Sequence, residues 1–136
     1  MYERIYAKNT AAAPKLIAHR GLAVDHPQNT LSAFRAAGEK GFWAIETDVH
    51  KTKDGFLVCC HNETVDATYE GTGPIPDLTW AEIQAMPHRQ DKKERMPLFR
   101  EYLEICKHFG CLPFLEVKTA PPEDILKEAL DVFPVD

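Results

Sequence analysis

The chain has 136 residues, the size of one ordinary domain, and its 44% hydrophobic and 27% charged content excludes a disordered tail. Twenty-one acidic against sixteen basic residues give a net charge of −5, which argues against non-specific nucleic-acid binding. No apolar run approaches the roughly 18–20 residues of a membrane span.

Residues 1–14 are mixed and polar and read as a lead-in segment. They hold no signal-peptide core: Ala11–Ala13 and Leu16–Ala18 are short and broken by Pro14 and Lys15, so the expectation is a cytoplasmic chain. Lys15–His19, followed by Gly21, reads as a first buried strand. After Pro27, Asn29 or Thr30 caps a helix over Leu31–Lys40 with Leu31, Phe34 and Ala37 as its apolar stripe. Gly38 weakens its last turn and Gly41 stops it. Phe42–Val49 is the second strand, closing a right-handed βαβ unit.

Asp54-Gly55 then separates Val49–Lys53 from Phe56–His61, a hairpin signal. Residues 62–79 carry two Gly, two Pro and no sustained period, and read as a surface insertion. Thr79 and Glu82 fit a capping box for a short helix, Trp80–Met86. Pro87–Arg95 is a charged loop, Leu98–Phe109 a helix with a broad apolar face, and Cys111–Val117 a third buried strand. Pro122 introduces a last helix, Glu123–Val132, with Ile125, Leu126, Ala129 and Leu130 inward.

Three strand–helix units predict an α/β fold with a parallel sheet and helices outside. A closed (β/α)8 barrel takes about 200–250 residues, so this chain cannot complete one alone. Four cysteines (Cys59, Cys60, Cys106, Cys111), neither dense nor in a zinc spacing, read as reduced thiols.

Functional groups of parallel α/β sheets gather at the C-terminal strand ends, here His19-Arg20-Gly21, Glu46-Thr47-Asp48 and Glu116-Val117-Lys118. Glu46 and Asp48 are two apart on a strand and share a face, and unpaired buried carboxylates are costly. With Glu116 they offer three oxygen ligands to a hard divalent cation, Mg²⁺ or Ca²⁺. A solvated strand end or a Glu–Lys pair is the competing reading of the same triplet. A two-residue Asp54-Gly55 turn places His61 opposite Asp48 and therefore on the same face. His19 and His61 then converge on one mouth, where imidazoles suit proton transfer. Arg20 and Lys118 add positive charge there, unless they are consumed in ion pairs with Glu46 or Glu116. Together these groups describe phosphoryl chemistry. His26, His50, His88 and His108 read as surface residues; Cys59, Tyr69, Met86 and the two tryptophans read as packing.

The motifs IAHRG at 17–21, PQNTLSAF at 27–34, IETDVHKTKDGFLVCCHNETV at 45–65, the Gly71–Thr79 stretch and FLEVK at 114–118 occur in this order over about residues 15–118. In them the chain resembles the glycerophosphodiester phosphodiesterase family. The resemblance implies the N-terminal half of a TIM-type (β/α)8 barrel, residues 15–136, with a small insertion at about 62–79 after the second strand. The spacing agrees: 68 residues from Asp48 to Glu116 against 29 from His19 to Asp48. It implies metal-dependent hydrolysis of a glycerophosphodiester to glycerol phosphate and an alcohol. His19 and His61 correspond to the acid/base pair, Glu46, Asp48 and Glu116 to the metal ligands, and Arg20 and Lys118 to phosphate contacts. Gln28, Asn29 and Asn62 stand behind them. Gln28 replaces a common Glu of the family and Asn62 a common Asp after the histidine. Two other readings accompany this one: a related phosphodiesterase for another phospholipid head group, and an inactive half-barrel that binds a partner. Three units leave two sheet edges unpaired, so homo-oligomerisation is expected of the chain.

Overall fold

The computed structural model describes residues 14–134. The lead-in expected at 1–14 lies outside the described residues except for Pro14. The elements are β1 (Ile17–Ala18), α1 (Leu31–Glu39), β2 (Ala44–Lys51), β3 (Leu57–Cys59), α2 (Trp80–Gln84), α3 (Phe99–Phe109), β4 (Leu112–Val117) and α4 (Pro122–Val132), with a 3₁₀ turn at Ile75–Asp77.

β2 is the centre of the sheet. β4 lies parallel along one edge, from Ala44 opposite Leu112 to Val49 opposite Val117. The other edge is shared. β1 pairs parallel at Ile17–Ala44 and Ala18–Ile45, and β3 pairs antiparallel beyond it, from Val49–Cys59 to Lys51–Leu57. The three parallel strands with α1, α3 and α4 are the three strand–helix units expected from the sequence. α1 starts where the Thr30 hydroxyl accepts the Ala33 N–H at 3.3 Å. Gly38 is buried beneath the Phe109 ring, so a side chain there would drive α1 and α3 apart.

The strand alternation sorts β2 into two faces. Ile45 and Val49 join Phe34, Phe99, Tyr102, Leu103 and Ile125 in a core between sheet and helices. The opposite face carries Ala44, Glu46, Asp48 and His50, flanked by Ile17 of β1 and by Leu112, Phe114 and Glu116 of β4. Leu112 and Phe114 keep 50% and 51% of their surface exposed, because no other layer covers that face among the described residues. Leu112 and Lys118 donate their N–H groups to the carbonyls of Trp43 and Val49. Between those steps the Tyr102 hydroxyl accepts the Phe114 N–H at 3.2 Å and donates to the Ile45 carbonyl at 2.5 Å. Tyr102 of α3 thus ties β2 to β4.

The insertion has a core of its own. Val65, Tyr69 and Ile75 are fully buried with Val58, Ile83 and Met96. The capping box of Thr79 and Glu82 is formed, over a helix of five residues.

Three expectations are corrected. The hairpin loop has three residues, Lys53-Asp54-Gly55, between Thr52 and Phe56: Thr52 donates its N–H to the Phe56 carbonyl at 2.8 Å. The Thr52 hydroxyl accepts the Phe56 N–H at 2.9 Å and donates to Asp54 at 2.7 Å, while Gly55 takes φ +91°. A turn followed by a left-handed glycine takes one residue more than an Asp-Gly turn alone. The register moves by one, so Cys60, not His61, donates to the Asp48 carbonyl at 3.0 Å. In α4, Ile125 and Val132 face the core, whereas Leu126 and Leu130 are exposed. Positions 126 and 130 form a second stripe, one residue or about 100° around the helix from 125 and 129. Finally, His50 and His88 are buried rather than surface residues.

Candidate active site

Glu46 and Asp48 project from the uncovered face of β2, and the pairing of Asp48 with Glu116 sets a third carboxylate beside them. One oxygen from each lies within 4.8 Å of the other two. Glu46 and Asp48 are buried and Glu116 forms an exposed rim. Asp48 accepts from the Asn29 amide at 3.1 Å through Oδ2, but its Oδ1 is buried without a hydrogen-bond partner among the described residues. Burial, with the Asp48 charge next to it, pushes the Glu46 carboxyl up to about 7. The Lys118 ammonium, 2.9 Å away, holds the Glu116 carboxyl below the usual range. That contact is the Glu–Lys pair of the competing reading, and it satisfies Glu116 alone. An orphaned carboxylate oxygen amid two further carboxylates is unfavourable until a cation meets it. The donor set is all hard oxygen and fits a divalent ion of the Mg²⁺ or Ca²⁺ kind.

The β1–α1 loop is bent to serve this cluster. Arg20 and Asn29, neither a glycine, both adopt left-handed backbone, at φ +58° and +54°. Conformations of this kind cost about 1–3 kcal/mol and persist where surrounding bonds fix them. Here the Arg20 peptide N–H donates to Glu46 Oε1 at 3.0 Å, and Asn29 returns its own N–H to the Arg20 carbonyl at 2.9 Å. Thr47 holds Asn29 Oδ1 at 2.8 Å, which turns the amide nitrogen onto Asp48. The Arg20 guanidinium donates from Nη1 to Gln28 Oε1 at 2.6 Å and stands 4.0 Å from Asp48 Oδ2 through Nε.

His19 stands at this mouth. His19 Nε2 lies 3.9 Å from Glu46 Oε1 on an exposed side chain. His61 follows the end of β3, is not paired with Asp48, and acts electrostatically on Glu116. Its Nδ1 lies 2.9 Å from Asn62 Oδ1, which can only accept, so Nδ1 carries the proton and Nε2 is left open. Sequence reasoning missed His50. It shares the face of Glu46 and Asp48 by the same alternation, and spans from Thr119 Oγ1 at 3.0 Å to the His61 carbonyl at 3.4 Å. Burial lowers its pKa.

A family model described as the glycerophosphoryl diester phosphodiesterase family matches residues 19–132. The chain belongs to that family. It is 38% identical over 127 residues to glycerophosphodiester phosphodiesterase 1 of Bos taurus, covering 87% of this chain and 38% of that protein. It is 39% identical over 109 residues to a glycerophosphodiester phosphodiesterase of Caldanaerobacter subterraneus, covering 76% and 45% respectively. The crystal structure of a glycerophosphodiester phosphodiesterase from Agrobacterium tumefaciens superposes with a TM-score of 0.81 at 30% identity, over 88% of this chain and 53% of that one. The chain thus spans less than half the length of these curated relatives, and its sheet is part of the family's barrel. Gln28 and Asn62 each make a contact to a neighbour at the site. Gln28 accepts from Arg20, and Asn62 holds His61.

Proposed function

We propose that the protein formed by this glycerophosphodiester phosphodiesterase segment hydrolyses glycerophosphodiesters to glycerol phosphate and an alcohol, with Mg²⁺ or Ca²⁺ bound by Glu46, Asp48 and Glu116. The observation that carries this reading is the unpartnered Asp48 oxygen inside a three-carboxylate cluster, with Arg20, Lys118 and two histidines around it. A divalent cation there supplies positive charge to the phosphate oxygens. Arg20 and Lys118 bind and orient the same phosphate from the rim. His61, with Nδ1–H held by Asn62, presents Nε2 as the group that takes a proton from the attacking oxygen. His19, open to solvent 3.9 Å from Glu46, delivers a proton to the departing alkoxide. The Asn29–Thr47 pair holds Asp48, and with it the ligand geometry.

The reading is tested by following release of glycerol phosphate from a glycerophosphodiester in chelator and in added Mg²⁺ or Ca²⁺. Metal-dependent release that Glu116→Gln and His61→Ala each reduce at least a hundredfold is the expected result. Release that ignores chelator and both substitutions would sink it.

A second reading concerns the 136-residue chain itself. The exposure of Leu112, Phe114 and Ile17 on the uncovered face favours self-association through that face and weak turnover. We place the protein in the cytoplasm because its four cysteines are free and buried. No described helix is long and apolar enough to cross a membrane.

A further inference from the structure

Next to the carboxylate cluster lies a polar cleft of about 300 Å³, between the β1–α1 loop and the insertion. Gln28, Asn62, Thr68, His88, Arg89 and Gln90 line it. Four of these keep at least one side-chain hydrogen-bond donor unused by the bonds they make. Gln28 Oε1 takes the Arg20 guanidinium, leaving its NH₂ group. Asn62 Oδ1 takes His61, leaving its NH₂ group. Arg89 uses Nε on the Asp66 carbonyl at 2.9 Å, leaving its two terminal nitrogens. His88 accepts the Gln90 N–H on Nδ1 at 3.0 Å, which puts its proton on Nε2.

His88 forms part of the wall: the residue is 2% exposed, its ring stands edge-on to Tyr69, and its Nε2–H has no acceptor among the described residues. A buried donor without a partner is a standing demand for one. Asp91 and Glu94 act electrostatically on His88, but neither lines the cleft. Among the described residues lining it, none carries a carboxylate and none is Phe, Tyr or Trp. A quaternary ammonium, which needs aromatic faces or anions, finds neither there.

Resting on the phosphodiesterase reading, we propose that this cleft is the subsite for the alcohol moiety of the diester and that it selects an alcohol bearing an anionic group. The connection to the reacting phosphate is direct. Gln28 bridges to Arg20 and Asn62 to His61, so a diester whose phosphate meets Arg20 has the donor-lined cleft beside it.

The test compares two diesters of glycerol phosphate, one with glycolate, whose far end is a carboxylate, and one with choline. Each is titrated into the ¹⁵N-labelled chain with Ca²⁺ present. Signals of Arg20 and Lys118 report the phosphate site; those of Thr68, Arg89 and Gln90 report the cleft. The glycolate diester is expected to bind about fivefold more tightly, the worth of one exposed charge pair, and to move both sets of signals. Arg89→Leu is expected to erase the preference, weakening the glycolate diester and not the choline diester, whose like-charge repulsion with Arg89 it relieves, and Arg89→Lys to retain most of the preference. Equal affinities, or a preference that survives Arg89→Leu, overturn the cleft assignment and leave the phosphodiesterase reading standing. If neither diester moves Arg20 and Lys118 in a sample that sedimentation shows to be monomeric, the phosphodiesterase reading itself fails and takes the subsite with it.

Discussion

Replacing Glu46 by Gln separates the stability of the fold from the purpose of the site. The Glu46 carboxyl ionises at about 7 in the folded protein, against an ordinary value of 4.5, because it is buried beside Asp48. Folding therefore favours the protonated form. Stability from this group is fully present below pH 4.5, is lost as pH rises toward about 7, and stays lost above it. The gap corresponds to about 3 kcal/mol, to order of magnitude. The amide introduced by Glu46→Gln would keep the acceptor for the Arg20 N–H and offer its NH₂ group to Asp48, with no charge to desolvate. In chelator at pH 8 the variant is expected to be more stable than the parent by about 1–3 kcal/mol, or roughly 4–12 °C in Tm at about 4 °C per kcal/mol. Near pH 4 the two should coincide. Added Mg²⁺ or Ca²⁺ at a hundred times Kd should then raise the parent by about 2.7 kcal/mol and leave the variant nearly unmoved, reversing their order. Thermal denaturation at pH 4, 6 and 8, with and without cation, reads all of this. A variant less stable than the parent at pH 8 in chelator, or one with the parent's pH slope, would refute the reasoning.

Tyr102→Phe should cost about 1–3 kcal/mol in urea denaturation, since it strands the Phe114 N–H and the Ile45 carbonyl; a loss below about 0.5 kcal/mol would mean that the two strands close on each other. Gly21→Ala should lose at least about 2 kcal/mol, because φ is +82° and the new Cβ would lie 2.8 Å from the Ala33 backbone; an unchanged denaturation midpoint would contradict that geometry. Sedimentation should show concentration-dependent association of the chain that Leu112→Lys with Phe114→Glu abolishes, and a monomeric parent at high concentration would refute the association through this face. Burial pushes the Cys60 and Cys106 thiols up to about 12, so both should resist thiol reagents at pH 8 until the protein is unfolded; rapid labelling of the native chain would contradict this.

The legible parts of the sequence were those with a short period. Alternation along Phe42–Val49 placed Glu46 and Asp48 on one face, and the Asn29-Thr30 pair marked the start of α1, where Thr30 proves to be the cap. The same alternation reaches His50, but a lone histidine carries no sign of the Thr119 and His61 partners, 69 and 11 residues away, that bury it. The register of β3 hinged on the Thr52 side chain: its hydroxyl closes the three-residue loop, and an Asp-Gly pair read alone does not report it. The insertion looked irregular because its buried residues, Val65, Tyr69 and Ile75, follow loop turns rather than a helix or strand period. The Leu126–Leu130 stripe showed that α4 was apolar on two sides, but not which side the sheet would take.

The two faces of the sheet differ in how they are closed. The helix side is closed by α1, α3 and α4 over a core that reaches from Leu16 to Phe133. The opposite face carries the carboxylates and remains open. The pairing of β2 with β4 spans 68 residues of chain and fixes Asp48 beside Glu116. The like-charge repulsion of the acidic cluster is therefore carried by an open face, while the closed face behind it supplies the packing that holds the strands together.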